Sequence, residues 1–126
     1  MAHCWVIGGV PTASGSFVAV EADLQPMPTV YVTAPEPTAA ELATTLVDER
    51  LAACVNAVDC RSTYRWEGAV TTDDETILLI KTTDAGYDRL IDRIEELHPY
   101  DVPCIERFDE TEIADRFGAW IADSVD

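Results

Sequence analysis

Cys54, His98 and Asp101 are the residues of this chain best suited by type to hold a metal ion. A soft thiolate favours Cu(I), and an imidazole suits Cu(II) or zinc. A carboxylate three residues after the histidine can join the same ion or orient the imidazole by a hydrogen bond. Each residue also has a plainer reading. Cys54 opens an extended run directly after a helical stripe, where cysteine commonly serves as a small buried hydrophobe, and that reading leads. His98 stands at a helix end, where a cation is favoured by about 0.3 to 1 kcal/mol through the helix dipole, and its two readings are level.

A second set could line a cleft for a small anionic ligand: Lys81, Tyr64, Trp66 and Glu67. Lys81 is the only lysine and lies inside an apolar strand, so its ammonium needs a carboxylate across the sheet or between subunits, or else an anion in a cleft. The ion pair leads. Tyr64 and Trp66 sit near a hairpin end, where large aromatics serve more often as oligomer contacts than as ligand walls. Cys104 is expected in the core, His3 is incidental, and Cys60 has no assignable role. No glycine-flanked serine elbow, phosphate loop or dinucleotide fingerprint occurs, which argues against an enzyme.

The elements that must position these residues follow from periodicity. Cys54 to Thr83 reads as one long β-hairpin turning at Trp66, Glu67 and Gly68. Along its first arm Cys54, Asn56, Val58, Cys60, Ser62, Tyr64 and Trp66 share one face. An arm from Cys54 to Trp66 spans roughly 43 Å at about 3.3 Å per residue, longer than a compact domain of this size is wide. The hairpin must therefore project, and its tip should be covered by another copy of the chain. The second arm ends in Thr76–Thr82, apolar on both faces, as in a central strand covered on two sides.

Around the hairpin, Thr29–Thr33 reads as a short strand. Thr38 and Glu41 form a capping box for a helix whose stripe is Ala39, Leu42, Ala43, Leu46, Val47 and Leu51, ending near Ala52. Asp84 is the expected N-cap of a second helix with Tyr87, Leu90, Ile91, Ile94 and Leu97 on one stripe, stopped by Pro99. Val102–Phe108 reads as a fourth strand, with Pro103 placing it at a sheet edge or a strand start. A terminal helix carries Ile113, Phe117, Trp120 and Ile121 on one face. Residues 1–27 look like a flexible leader with a short strand at Phe17–Val20, leaving 28–126 as the folded domain. The order strand, helix, strand, strand, helix, strand is the split βαβ pattern of the α+β ferredoxin-like fold. Two helices on one face leave the other face of the sheet in need of cover, which again points to self-association.

The chain has 126 residues, enough for one core, and 24 acidic against 8 basic residues give a net charge of -16. Clustered cations are lacking, so nucleic acid is an unsuitable partner. Solubility in a salty cytoplasm explains the acidity better than cation gathering, because the carboxylates are dispersed and no calcium-loop spacing occurs. Four scattered cysteines fit reduced thiols in a cytoplasm. No apolar run approaches the ~20 residues of a membrane span.

Four motifs, Glu49-Arg50-Leu51-Ala52-Ala53-Cys54-Val55-Asn56, Tyr64-Arg65-Trp66-Glu67-Gly68, Leu79-Ile80-Lys81-Thr82-Thr83 and Glu96-Leu97-His98-Pro99-Tyr100-Asp101-Val102-Pro103, resemble those of the CutA divalent-cation tolerance family in order and spacing. The resemblance spans about residues 29 to 123. It implies a ferredoxin-like protomer in a tight homotrimer, similar in architecture to the PII signalling proteins, linked to tolerance of copper and other divalent metals and without a catalytic reaction. Departures are Asp101 for a usual glutamate, Ala69 for a common lysine and Asp59-Cys60 for a common Pro-Gly.

Overall fold

A computed structural model of the protein describes residues 18–19 and 27–126. The leader reading of residues 1–27, with His3 and Cys4, falls outside the described residues except at those few positions. The elements are β1 (Val18–Ala19), β2 (Pro28–Ala34), α1 (Glu36–Asp48), β3 (Cys54–Trp66), β4 (Ala69–Lys81), α2 (Tyr87–Leu97), β5 (Ile105–Asp109), β6 (Glu112–Ile113) and α3 (Asp115–Ser124). β1 lies inside the expected Phe17–Val20 strand and pairs antiparallel with β6. The other four strands form one antiparallel sheet in the order β3-β4-β2-β5.

Strand alternation divides this sheet into two unequal faces. On one, Val30, Val32 and Ala34 of β2 and Leu78 and Ile80 of β4 pack with Ala39, Leu42 and Leu46 of α1 and Leu90 and Ile94 of α2 into the main core. On the other, Ile77, Leu79 and Lys81 are only half-buried. The expectation that β4 is covered on both sides is thus corrected within one chain, because both long helices use the same face. Beyond the core the hairpin projects as expected. From residue 63 to 70 every position is exposed, and Val58 (48%), Trp66 (62%) and Val70 (68%) are bare apolar side chains.

Helix boundaries differ from the expected ones for identifiable reasons. α1 begins at Glu36, and Thr38 and Glu41 lie inside it, with no side-chain cap at Pro35. Pro37 in the first turn has no amide to leave unpaired and a φ suited to a helix start, so the chain enters the helix before the capping box. α1 ends at Asp48, not near Ala52. Leu51 N–H donates to the Leu46 carbonyl (3.0 Å) and Arg50 N–H to the Val47 carbonyl (3.1 Å). With Arg50 at φ 60° this is a Schellman ending, in which a left-handed residue turns the chain out of the helix. At α2 the N-cap is Gly86 and not Asp84. The Gly86 amide donates to Thr83 Oγ1 at 3.1 Å, while Asp84 is drawn away by Arg107 Nη2 at 2.7 Å. Leu97, expected on the buried stripe, is exposed. β5 starts at Ile105, leaving Val102 86% exposed ahead of Pro103. Ile113 belongs to β6, not to the terminal helix. Arg93 ties α2 to α1 through two bonds to the Glu49 carboxylate, at 2.9 and 2.8 Å, and holds that carboxyl below its usual range.

The hairpin turns on two residues, Glu67 at φ 49° and Gly68 at φ 81°. Paired positive φ values are what a tight type I′ turn requires, and its twist matches that of the flanking strands. Nothing lies within 4 Å of a Cβ built at Gly68, so a side chain there meets only the backbone cost. Gly68→Ala should lower unfolding free energy by about 1 to 2 kcal/mol, and Glu67→Asn should raise it by several tenths, in guanidinium melts at equal protein concentration.

Candidate functional site

The sheet face turned away from α1 and α2 carries every candidate residue of the hairpin except Glu67, which lies in its turn. Register sets Cys54 opposite Lys81 and Lys81 opposite Thr29 in one row, and Trp66 opposite Ala69 at the far end. Twelve residue steps along β3 separate Cys54 from Trp66, roughly 40 Å. Lys81 and the Tyr64, Trp66 and Glu67 group therefore do not form a cleft within one chain.

At the base of this face, the Lys81 ammonium donates to Thr29 Oγ1 at 2.9 Å, and Thr29 Oγ1 donates to Glu110 Oε2 at 2.6 Å. Lys81 Nζ stands 4.0 Å from the same carboxylate oxygen. The carboxylate partner expected for Lys81 is thus Glu110, on the segment after β5. Cys54 beside them is 7% exposed. Its burial agrees with the hydrophobe reading.

Four residues further along β2, roughly 13 Å away, Thr33 begins a different network. The Tyr100 amide donates into His98 Nδ1 at 3.1 Å, which places the ring proton on Nε2, and Nε2 donates to the Thr33 carbonyl at 2.8 Å. His98 is 7% exposed with both ring nitrogens engaged. It is the C-cap of α2, as the helix-end reading expected, with its backbone amide on the Ile94 carbonyl and its ring bridging to β2. The Tyr100 ring stands 4.8 Å from the imidazole, and its hydroxyl donates to Glu75 Oε2 at 3.1 Å. Glu75, only 8% exposed, pairs in register with Cys60. Burial first, then the Glu75 hydrogen bond, raises the Tyr100 phenol.

Cys54 thus opens β3 in the row of Lys81 and Thr29, His98 caps α2 against Thr33, and Asp101 is exposed on the bend after Pro99. One chain does not bring the three together. Among the described residues no group of three or more His, Cys, Asp or Glu side chains is placed to hold a metal ion. Cys104, expected in the core, is exposed, because it precedes β5 and stands beside Thr33 and Glu106 on the uncovered face. Partial burial of the thiol group, the largest influence, pushes Cys104 up, so it is a poor thiolate at neutral pH. Tyr31 is raised by burial first and then by Cys104, Cys60, Glu106 and Glu75, which places all four around it.

Sequence reasoning missed Glu110, Thr29, Glu75 and Tyr100. Tyr100 lay in a motif singled out for its histidine and aspartate; Glu110 carried no signal, since its partner lies 29 residues earlier in the chain.

Residues 28–124 match the model of the CutA1 divalent ion tolerance protein family. A Pyrococcus horikoshii relative, the divalent-cation tolerance protein CutA, is 41% identical over 93 residues, covering 73% of this chain and 91% of its own. The structure of CutA from Synechococcus elongatus superposes with a TM-score of 0.83 at 27% identity, over 91% of this chain and 100% of that one. The structure of the Archaeoglobus fulgidus protein, described as a periplasmic divalent cation tolerance protein, gives 0.76 at 30% identity over 79% of this chain and 99% of its own.

Near the hairpin tip the Tyr64 hydroxyl donates to Asp73 Oδ2, and this bond pushes the Tyr64 phenol up to about 12. The bond's stabilising effect is present below the ordinary tyrosine value near ~10 and is lost as pH rises through the folded value. Tyrosinate absorbance should show Tyr31, Tyr64 and Tyr100 titrating above the ordinary range, and Asp73→Asn should return Tyr64 towards it. An unchanged titration in that variant would place the cause elsewhere.

Proposed function

The chain belongs to the CutA1 divalent ion tolerance family, and on that footing we propose that it is a non-enzymatic, ferredoxin-like homotrimer acting in the cellular response to divalent metal ions. The observation that carries this reading is the uncovered sheet face. Tyr31, Val58, Ile77, Leu79 and Phe108 line it, and a projecting hairpin with bare Trp66 continues it. An apolar surface of this extent beside a long exposed strand calls for protein cover, and a second and third copy supply it most simply. The strand order β3-β4-β2-β5, with each long helix in a connection between strands, supports the ferredoxin-like description.

Copper, or another divalent cation, is the cargo in this reading, and no organic cofactor is needed. Because one chain separates Cys54 from His98 and Asp101, binding through them requires side chains from more than one subunit. The alternative is a PII-like scaffold holding a small anionic ligand or a partner segment between subunits. It would bring the Trp66 and Glu67 tip of one copy to another copy's Lys81. The Glu110 contact already engaging Lys81 weighs against an anion there. No helix among the described residues is long and apolar enough to cross a membrane. We place the protein in the cytoplasm on its few, scattered cysteines, a pattern that fits reduced thiols and not a disulfide scaffold.

Sedimentation equilibrium of the reduced protein in molar salt should return the mass of three chains. A natively folded single chain would remove the proposal. Copper calorimetry on the assembled protein then tests the cargo reading: the heat should fall in both Cys54→Ala and His98→Ala, and equal heats in all three would exclude these residues.

A further inference from the structure

Glu75 is the only buried carboxylate among the described residues, 8% exposed, and no ion pair within the chain includes it. Its Oε2 accepts the Tyr100 hydroxyl, and its Oε1 has no hydrogen-bond partner among the described residues. The groups around it add no positive charge. Cys60 stands opposite it in register, and the next row of the same face is Val58 opposite Ile77. Tyr31, raised first by burial, is raised further by Cys104, Cys60, Glu106 and Glu75, with no cation to offset them. A carboxylate accepts hydrogen bonds at both oxygens, and burying one without a counter-charge is costly. Whatever covers this part of the face must therefore bring a cation with it.

The chain has eight basic residues, and most are engaged. Arg50, Lys81, Arg89, Arg93 and Arg107 are bonded within the chain, and Arg61 has Asp74 at 3.6 Å across the hairpin. Arg65 and Arg116 make no hydrogen bond or ion pair among the described residues. Arg116 lies in the first turn of α3. Arg65 lies at the end of the hairpin, opposite Val70, and strand alternation sets this pair on the back of the ribbon, away from Trp66 and Ala69. Six residue steps from the Cys60 and Glu75 row to Trp66, roughly 20 Å, carry the tip beyond its own core. The back of the tip thus offers an unpaired cation beside a bare aliphatic side chain. The middle of the open face offers an unpaired carboxylate oxygen beside two more. Two different surfaces that fit each other make a heterologous contact, and copies joined that way close into a ring.

We propose that, in the trimer inferred above, the back of each hairpin tip docks on the open face of the next copy, with Arg65 on Glu75 and Val70 against Val58 and Ile77. The guanidinium fork donates to Oε1 while the Tyr100 hydroxyl keeps Oε2. The inference rests on the trimer reading and adds to it the partner of Glu75.

The test is the rate at which tagged and untagged trimers exchange subunits, read from the mixed species captured on the tag. Arg65→Gln and Glu75→Gln should each speed exchange roughly tenfold or more, because losing one partner of a buried charge pair acts on dissociation. The double variant Arg65→Gln/Glu75→Gln should exchange no faster than the faster single variant, since both changes remove the same bond. Arg116→Gln should leave the rate alone. Arg65 is exposed and bonded to nothing in its own chain, so Arg65→Gln reads the contact even where Glu75→Gln disturbs the fold. An unchanged rate in Arg65→Gln would overturn the proposal. So would single effects that multiply in the double variant, or an Arg116→Gln effect as large as that of Arg65→Gln. Any of these in a protein of three-chain mass removes this contact alone, whereas a natively folded single chain removes the trimer and the contact together.

Discussion

A four-stranded antiparallel sheet whose long helices both lie on one side is the constraint on which the rest of the molecule depends. Burial of Val30, Val32, Leu78 and Ile80 against Leu42, Leu46, Leu90 and Ile94 fixes the sheet. Strand alternation then obliges Tyr31, Ile77 and Leu79 to face outward. The base of that outer face holds the Lys81, Thr29 and Glu110 contacts, its middle is left half-buried, and the hairpin extends the surface beyond the core. Three environments therefore exist on one face, and the candidate residues are distributed among them.

Charge reinforces this division. With 24 acidic and 8 basic residues, a cation placed anywhere is conspicuous, and most are committed to tying elements together. Arg93 joins α1 to α2. Arg107 joins β5 to Asp84 and Asp109 while lying 4.4 Å over the Tyr87 ring. Arg50, Arg89 and Lys81 hold the segment after β5. The acidic excess is left on the surface, where salt screens its self-repulsion.

The architecture was legible because its elements are strongly patterned. One alternating arm and one apolar arm around a Trp-Glu-Gly turn, two helical stripes and a proline stop suffice to order the strands and helices, and the projection of the hairpin followed from its length alone. Helix starts were less legible because local signals compete: Pro37 overrode the Thr38 and Glu41 box, and Arg107, far away in sequence, took Asp84 from its capping role. The site was least legible of all. Cys54, His98 and Asp101 have compatible chemistry, but compatibility of type says nothing of which row of a sheet each occupies. His98 proved to be a two-sided tie between the Tyr100 amide and the Thr33 carbonyl, contacts that no spacing announces.

The register of β3 against β4 runs through thirteen consecutive pairs from Cys54↔Lys81 to Trp66↔Ala69 without a bulge. Adding or removing one residue in each arm would keep the ladder closed but turn Trp66 to the opposite side of the ribbon. The reach of this hairpin can therefore change through descent only in steps of two residues per strand, and a family of such chains would differ in length by quanta, not by degrees.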